Sequence, residues 1–280
     1  MKIAVAQITS SNQPDENLGC VLNLMEKSVG QDILFLPEVT NCVSFDRKHQ
    51  MQVLKPFESH PFIAAVAQKA RLLDLWVALG SVSIKTDDPN GRFANRSVLI
   101  NAQGETVAHY DKIHMFDVQL SSEETYHESK GFRAGQDAVL AQTPWGLMGL
   151  TICYDLRFPH LYRALAQAGA RILTIPAAFS PLTGKAHWHS LLRARAIETG
   201  CYVVASAQTG THPGTGRKTF GHGLVVDPWG EIILDAGDAT GLHFVELDLD
   251  AVDRARSRVA SLQHDRLYKL RSYPVNDTSS

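Results

Sequence analysis

Apolar positions along the chain follow two spacings, one typical of buried strands and the other of helices. Short apolar runs such as Asp32–Leu36 stop at a proline or a turn, which favours a buried strand. Segments such as Pro14–Val29 place apolar residues three or four positions apart, which indicates one buried helical face. Strands that alternate with helices predict the layers of an α/β fold.

The predicted elements follow the order strand, helix, strand, helix, strand, hairpin, and this order occurs twice. In the first half the segments are Lys2–Thr9, Pro14–Val29, Asp32–Leu36, Pro61–Leu73, Leu75–Ile84, Arg96–Asn101 and Glu105–Lys112. In the second half they are Gly146–Cys153, Pro159–Ala168, Arg171–Pro176, Ala186–Thr199, Tyr202–Gln208, His222–Val226 and Glu231–Leu234, followed by a strand at Leu242–Leu247 and a helix at Leu249–Val259. No linker rich in Pro, Gly or Ser separates the halves. We therefore predict one domain over residues 1–280, built from two similar halves whose sheets pack together.

Two polar segments interrupt this pattern and are predicted to be loops. Ser121–Gly135 is polar, and Gly210–Lys218 is rich in Gly, Thr and basic residues. Loops of this length in a compact domain often carry function. We interpret both as candidate walls of a binding site.

Composition narrows the functional class. With 44% apolar and 20% charged residues and a net charge of -2, the 280-residue chain has no electrostatic footprint for nucleic acid. The N-terminal apolar stretch is too short for a signal peptide, and no segment has the length of a membrane helix, so we expect a cytoplasmic protein without a membrane partner. None of the four cysteines forms a C-x-x-C pair, which favours free thiols without a metal.

Three reactive side chains follow predicted strands, where loops leave the sheet. Glu38 follows Ile33–Leu36, Lys112 ends the hairpin strand, and Cys153 follows Leu147–Ile152. A single cysteine after an apolar strand is more often part of the core than a nucleophile. The duplicated topology nevertheless predicts that all three lie at one edge of the sandwich.

These residue types suit cleavage of an amide. A thiol is mostly protonated at neutral pH and needs a base, and a carboxylate in a dry pocket is expected to have a raised pKa and to accept the proton. The oxyanion formed on attack needs a cation or N–H donors, which Lys112 and the backbone N–H of Tyr154 can supply. A second carboxylate, such as Glu128, can hold the lysine in place.

Three sequence blocks resemble the signatures of the nitrilase superfamily of carbon–nitrogen hydrolases. They are Phe35-Leu-Pro-Glu38, Tyr110-Asp-Lys-Ile-His114 and Thr151-Ile-Cys-Tyr-Asp-Leu-Arg-Phe-Pro159. The resemblance implies a four-layer α-β-β-α sandwich. It also implies that Cys153 is the nucleophile, Glu38 the base, Lys112 the electrostatic partner and Glu128 an accessory glutamate. No cofactor is implied, and a homodimer or higher homo-oligomer is expected.

Further segments resemble the Nit subgroup, which contains the deaminated glutathione amidases and the ω-amidases. They include Leu192–Ala205, Phe220-Gly-His222 and Val226-Asp-Pro-Trp-Gly230. The resemblance implies a small-molecule amide of a 2-oxo dicarboxylate as substrate, most closely deaminated glutathione. An ω-amidase and a non-catalytic binding or redox-sensing member remain as alternatives.

Such a substrate carries carboxylates, so the pocket should hold cations. Arg157 is a candidate to bind the substrate, with a structural ion pair to Asp155 as an equal alternative. Tyr154 and Thr209 are further candidates for the pocket wall. Arg217 and Lys218 could also reach the substrate, although a solvated loop is the favoured interpretation for both.

Overall fold

The computed structural model describes residues 1–122 and 124–273. The strands of these residues, in chain order, are β1 (Lys2–Gln7), β2 (Ile33–Phe35), β3 (Trp76–Ile84), β4 (Ala94–Ile100), β5 (Thr106–Asp111), β6 (Asp117–Gln119), β7 (Thr125–His127), β8 (Val139–Thr143), β9 (Gly146–Leu150), β10 (Ala170–Thr174), β11 (Tyr202–Ala205), β12 (Thr209–Thr211), β13 (Lys218–Phe220), β14 (Leu224–Val226), β15 (Ile232–Asp235) and β16 (Gly241–Glu246). The helices are α1 (Pro14–Lys27), α2 (Arg47–Val53), α3 (Pro61–Leu73), α4 (Glu128–Gly131), α5 (Pro159–Gln167), α6 (Pro181–Thr199) and α7 (Asp250–Arg258). Short 3₁₀ turns lie at Phe57–Ser59, Cys153–Arg157 and Ser261–Gln263.

Two six-stranded sheets share one pattern. The first runs β16-β1-β2-β3-β4-β5, and the second runs β15-β14-β11-β10-β9-β8. In each sheet three consecutive parallel strands form the centre, β1-β2-β3 and β9-β10-β11. A hairpin continues each sheet on one side, and a single antiparallel strand closes the other side. The duplication predicted from the sequence is therefore present in the strand order.

Strand residues alternate between two apolar layers, because successive side chains point to opposite faces of a sheet. Ile3 and Val5 of β1 belong to the cluster that also contains residues of the second sheet, such as Met148. Ala4 and Ala6 of the same strand belong to the cluster with α1 and α3. The first sheet therefore has one face on its own helices and the other on the second sheet. With α5 and α6 packed against the second sheet, the layers are α-β-β-α, as expected.

Both segments predicted as loops, Ser121–Gly135 and Gly210–Lys218, form part of a hairpin. In the first, β6 pairs with β7 and leads into α4, although Glu123 lies outside the described residues. In the second, β12 pairs with β13. These short strands are polar and carry no apolar alternation, so the sequence pattern could not reveal them. No helix of the described residues is long and apolar enough to cross a membrane.

Candidate active site

A cavity of about 630 Å³ opens where strands of both sheets end. Glu38 reaches it from the turn after β2, and Lys112 from the end of β5. Cys153 reaches it from the 3₁₀ turn after β9, and Glu128 from the start of α4. The fold thus brings together four side chains that lie as many as 115 positions apart in the sequence.

Glu38 is buried and accepts hydrogen bonds on both carboxylate oxygens. Oε1 accepts from Lys112 Nζ and from Asn95 Nδ2, each at 2.9 Å. Oε2 accepts from the backbone N–H of Ala178 at 2.9 Å. The carbonyl oxygen of Glu38 accepts from Gln208 Nε2 at 3.0 Å. Residues of both halves therefore fix this carboxylate.

Lys112 lies between two carboxylates and is only 2% exposed. Its Nζ donates to Glu38 at 2.9 Å and to the two oxygens of Glu128 at 3.0 and 2.9 Å. The backbone N–H of Phe116 donates to Glu128 at 2.6 Å and fixes that second carboxylate. Paired in this way, a buried ammonium group can stay charged.

Cys153 has a left-handed backbone conformation, with φ of 49°. Its N–H donates to the carbonyl of Pro176 at 3.0 Å, and its thiol lies in the same cavity as Glu38, close enough for the carboxylate charge to act on the pKa of the thiol. Val39, which follows Glu38, has the same φ of 49°, a conformation that is strained for a β-branched residue. Such strain is typical of functional sites, where the surrounding structure holds the backbone in place.

The direction in which the pKa of Glu38 is shifted differs from the expectation based on the sequence. Burial by itself raises the pKa of Glu38, but the charge and hydrogen bond of Lys112, together with the charge of Arg217, outweigh it and leave the pKa below its usual value. The prediction of a raised pKa was therefore wrong, because it neglected the cation at 2.9 Å. The resting carboxylate is ionised.

The pKa values of Lys112 and of the Cys153 thiol are both raised, which keeps the lysine charged and the thiol neutral. Burial opposes the charge of Lys112, but Glu128 and Glu38 raise its pKa well above the usual value. Burial and the charge of Glu38 raise the pKa of Cys153 well above the usual value, although Lys112 acts in the opposite direction. The resting site therefore holds a neutral thiol beside an ionised carboxylate and an ammonium group.

Asp155 joins the two segments that carry Lys112 and Cys153. It is fully buried and accepts from the Tyr110 hydroxyl at 2.7 Å and from the Ile152 N–H at 2.8 Å. It also accepts from the backbone N–H of His114 at 3.1 Å and contacts the ring Nδ1 at 2.7 Å. A saturated buried carboxylate of this kind fixes the relative position of both segments.

Comparison with known proteins decides the family. The model of the family described as carbon-nitrogen hydrolase matches residues 2–257. The chain belongs to the carbon–nitrogen hydrolase family. A deaminated glutathione amidase of Dictyostelium discoideum is 37% identical over 281 residues, with 96% of each chain covered. The deaminated glutathione amidase of Homo sapiens is also 37% identical, covering 98% of this chain and 85% of the human protein.

Solved structures agree with this assignment. The C. elegans NitFhit protein has a TM-score of 0.87 at 35% identity, over 95% of this chain and 65% of the worm chain. Nit3 of Saccharomyces cerevisiae, described as a member of branch 10 of the nitrilase superfamily, has a TM-score of 0.81 at 26% identity, over 92% of this chain and 94% of the yeast chain. The protein is thus an amide-hydrolysing enzyme that acts on a small-molecule amide.

Of the residues that the sequence suggested for substrate binding in this carbon–nitrogen hydrolase, Tyr154 lines the cavity. Its N–H lies in the first turn of a 3₁₀ segment, where backbone donors have no acceptor within the helix. Arg157 and Thr209 are not among the residues that line the cavity. The guanidinium of Arg157 lies 5.5 Å from the centre of the Phe179 ring and contacts His187. The hydrogen bonds that Asp155 accepts come from other residues, so the equal alternative, an ion pair between Arg157 and Asp155, is not formed. Thr209 is buried and donates to the carbonyl of Asp238.

Sequence reasoning missed or misjudged three residues that contact the site. Asn95 and Gln208 bond to Glu38, and Arg217 lines the cavity instead of lying in a solvated loop. Asn95 and Gln208 each lie among buried apolar neighbours, and a polar residue in that setting is a usable signal. The orientation of Arg217 depends on the β12–β13 hairpin, which the sequence pattern did not show.

A separate cluster outside the cavity has residue types that bind metals. The ligand atoms of His189, His222 and Asp235 lie within 4.8 Å of one another. Asp235 is already hydrogen-bonded to both rings, at 2.9 and 2.8 Å, so the cluster joins α6 to the β14–β15 hairpin. Because those lengths are typical of hydrogen bonds, we assign the cluster a structural role in this carbon–nitrogen hydrolase.

Proposed function

We propose that this enzyme hydrolyses deaminated glutathione to 2-oxoglutarate and cysteinylglycine through an acyl-thioester on Cys153. The observation that carries the proposal is the similarity to deaminated glutathione amidases, at 37% identity over 96–98% of this chain. The buried Glu38, Lys112 and Cys153 set supports it, because a thiol beside an ionised carboxylate and a cation suits attack on an amide.

In the proposed reaction, Glu38 accepts the thiol proton as Cys153 Sγ attacks the amide carbon. The negative charge on the carbonyl oxygen is stabilised by Lys112 and the Tyr154 N–H. Collapse of this intermediate breaks the C–N bond, and the departing amine takes the proton from Glu38. Glu38 then deprotonates a water molecule, which attacks the thioester and releases 2-oxoglutarate and the free thiol. Glu128 holds Lys112 in place.

A non-catalytic redox sensor is less well supported. A sensor cysteine needs a lowered pKa and solvent access, whereas Cys153 is buried and burial raises the pKa of its thiol. A thiol of this kind becomes nucleophilic only when a neighbouring base removes its proton, and the Glu38 carboxylate lines the same cavity.

The decisive experiment compares turnover of deaminated glutathione and 2-oxoglutaramate, followed by release of 2-oxoglutarate, for the wild type and Cys153→Ala. We expect preference for deaminated glutathione and complete loss in the variant with an unchanged melting temperature. Preference for 2-oxoglutaramate would make the protein an ω-amidase with the same chemistry. Turnover that survives in Cys153→Ala would disprove the assigned nucleophile.

We further propose that residues 1–280 form one domain that assembles as a homodimer or higher oligomer in the cytoplasm. Several large apolar side chains are exposed on α6 and near the second sheet, which favours a partner surface: Leu182, Ile197 and Trp229. The described cysteines are free thiols, in keeping with a reducing compartment. Sedimentation of the purified protein tests the assembly, and a monomer at micromolar concentration would contradict it.

A further inference from the structure

The cavity contains more positive charge than the catalytic set uses. Among the described residues that line it, Lys112, Arg47, Lys130 and Arg217 are cationic. Lys112 is paired with Glu38 and Glu128. Arg47 donates to the carbonyls of Gly91 and Gly131 and stacks 3.9 Å over the Phe93 ring. These two cations are therefore already committed to protein groups.

Arg217 has an unused hydrogen-bond donor. One Nη donates to the carbonyl of Ala178 at 2.7 Å, and the guanidinium lies 5.3 Å from the centre of the Phe45 ring. Its Nε is buried and has no hydrogen-bond partner. A buried guanidinium N–H without an acceptor is costly, and the group best matched to such a donor fork is a carboxylate. The Nε–H of Arg217 is therefore suited to donate to a carboxylate.

The position of Arg217 relative to the reacting groups is fixed through one residue. The carbonyl of Ala178 accepts from Arg217, and the N–H of Ala178 donates to Glu38 at 2.9 Å. The guanidinium charge also reaches Glu38, since it contributes to the lowered pKa of that carboxylate. Arg217 and the catalytic carboxylate thus bond to the two backbone groups of a single residue. A substrate group bound there must be separated from the scissile carbonyl by only a few atoms.

We propose that Arg217 binds the carboxylate at the 2-oxo end of the acyl group, and this assignment rests on the proposed function. In an amide of 2-oxoglutarate, three carbons separate that carboxylate from the scissile carbonyl, so the span is short. The acyl group stays on Cys153 until water cleaves the thioester, so the protein should hold the carboxylate of this group throughout. Lys130, the remaining cation at the cavity, is exposed and is therefore less suited to hold that group.

A binding experiment tests the subsite without turnover. The affinity of 2-oxoglutarate, the acyl product, is measured by calorimetry on Cys153→Ala and on the same protein carrying Arg217→Gln. We expect Arg217→Gln to weaken binding about 10- to 100-fold, as for loss of a charged hydrogen bond. Lys218→Gln is the matched control, because the exposed neighbour carries the same charge but does not line the cavity. It should leave the affinity unchanged.

Absence of binding by the Cys153→Ala parent, or an equal loss in the Lys218→Gln control, would overturn the proposal. So would an affinity that Arg217→Gln leaves unchanged. Should Arg217→Gln lower the melting temperature, Arg217→Lys keeps the charge without the fork and is expected to lose part of the affinity. Unchanged affinity in Arg217→Lys would exclude recognition by the guanidinium.

A kinetic comparison distinguishes substrate binding from an effect on the base. 4-Oxopentanamide has the chain and ketone of 2-oxoglutaramate but lacks the carboxylate. We expect Arg217→Gln to lower kcat/KM for 2-oxoglutaramate about 10- to 100-fold and for 4-oxopentanamide less than about 3-fold. An equal loss of kcat/KM on both amides would show that Arg217 acts through Glu38 rather than on the substrate carboxylate. That result would overturn the subsite. Binding through Arg217 without turnover of deaminated glutathione would refute the proposed function alone.

Discussion

The hydroxyl of Tyr110 donates a 2.7 Å hydrogen bond to Asp155, and this contact joins the strand that carries Lys112 to the turn that carries Cys153. Both side chains are fully buried. Tyr110 lies in β5 of the first sheet and Asp155 in the 3₁₀ turn that follows β9 of the second sheet. The bond therefore helps to set the distance between Lys112 and Cys153, which lie 41 positions apart in the sequence.

Tyr110→Phe should therefore impair catalysis more than stability. Loss of one buried hydrogen bond is expected to lower the free energy of unfolding by about 1–2 kcal/mol. Because the segment bearing Lys112 is then less well fixed, kcat should fall about 10-fold or more. Tyr202→Phe, which removes a hydroxyl bonded to the carbonyl of Asp248, is the control. Equal kcat in the two variants would show that Tyr110 has no positioning role.

Glu128→Gln tests the second carboxylate on Lys112. Glu128 is the strongest of the groups that raise the pKa of this lysine, so its loss should lower that pKa and release the ammonium group. We expect kcat to fall about 100-fold. Glu124→Gln, which alters a carboxylate bonded to Tyr126 and Ser180, serves as the control and should retain most activity. Full kcat in Glu128→Gln would show that Glu128 is not needed for catalysis.

The pH profile of kcat/KM should be flat across neutral pH. Glu38 must be ionised to act as a base, and its pKa lies below the usual glutamate value, so activity should fall only at pH values below the usual glutamate pKa. The raised pKa of Cys153 keeps its thiol protonated, so no increase from thiolate formation is expected between about pH 6 and 8. A profile that rises steadily through this range would contradict proton transfer within the complex.

His212 should make the protein acid-sensitive. Burial lowers its pKa to about 4, and the neutral ring is satisfied by the carbonyl of Ser10 at 2.7 Å and by Thr219 Oγ1 at 2.9 Å. As the pH falls below about 6.5, the unfolded chain binds a proton that the folded chain does not, so stability decreases. Between about pH 7 and 5 this amounts to about 2 kcal/mol. Urea unfolding of the wild type and of His212→Gln at both pH values measures this loss of stability. An identical pH dependence in the two proteins would show that His212 is not its source.

Gly80 should tolerate no side chain. A Cβ there would lie 1.8 Å from the carbonyl oxygen of Leu36 and 2.4 Å from that of Pro37, directly before Glu38. Gly80→Ala is expected to displace the Glu38 turn and to reduce both stability and kcat sharply. Gly19→Ala is the control, because no atom lies within 4 Å of its added Cβ and alanine favours the helix by about 0.5–1 kcal/mol. Normal activity of Gly80→Ala would mean that the turn is adaptable.

The sequence pattern was sufficient for the large elements and insufficient for the small ones. Pro61–Leu73 has a clear apolar face and was predicted with the bounds observed. Arg47–Val53 was not predicted, because its polar residues show no helical periodicity. The hairpins at β6–β7 and β12–β13 were missed for the same reason. Their position is set by tertiary contacts, such as the bond from Arg217 to Ala178.

The chemistry of the site was partly predictable from residue types and strand ends. The positions of Glu38, Lys112 and Cys153 after strands indicated that they could meet. The direction of the Glu38 pKa could not be inferred, because it depends on the 2.9 Å contact to a residue 74 positions away. Likewise, only the three-dimensional arrangement shows that the buried Nε of Arg217 has no hydrogen-bond partner, while both Nη atoms of Arg47 donate to backbone carbonyls.

The closing of the first sheet by β16 has a consequence for synthesis on the ribosome. β1 precedes the other described strands in the chain, yet its outer partner, Gly241–Glu246, is the last of those strands to be synthesised. Until then β1 presents an unpaired edge that can join with strands of other chains. Glu38 likewise lacks its hydrogen bonds from Ala178 and Gln208 until those residues have been synthesised. The N-terminal half alone therefore cannot mature into a catalytic unit, and chaperone protection of nascent chains should raise the yield of active enzyme.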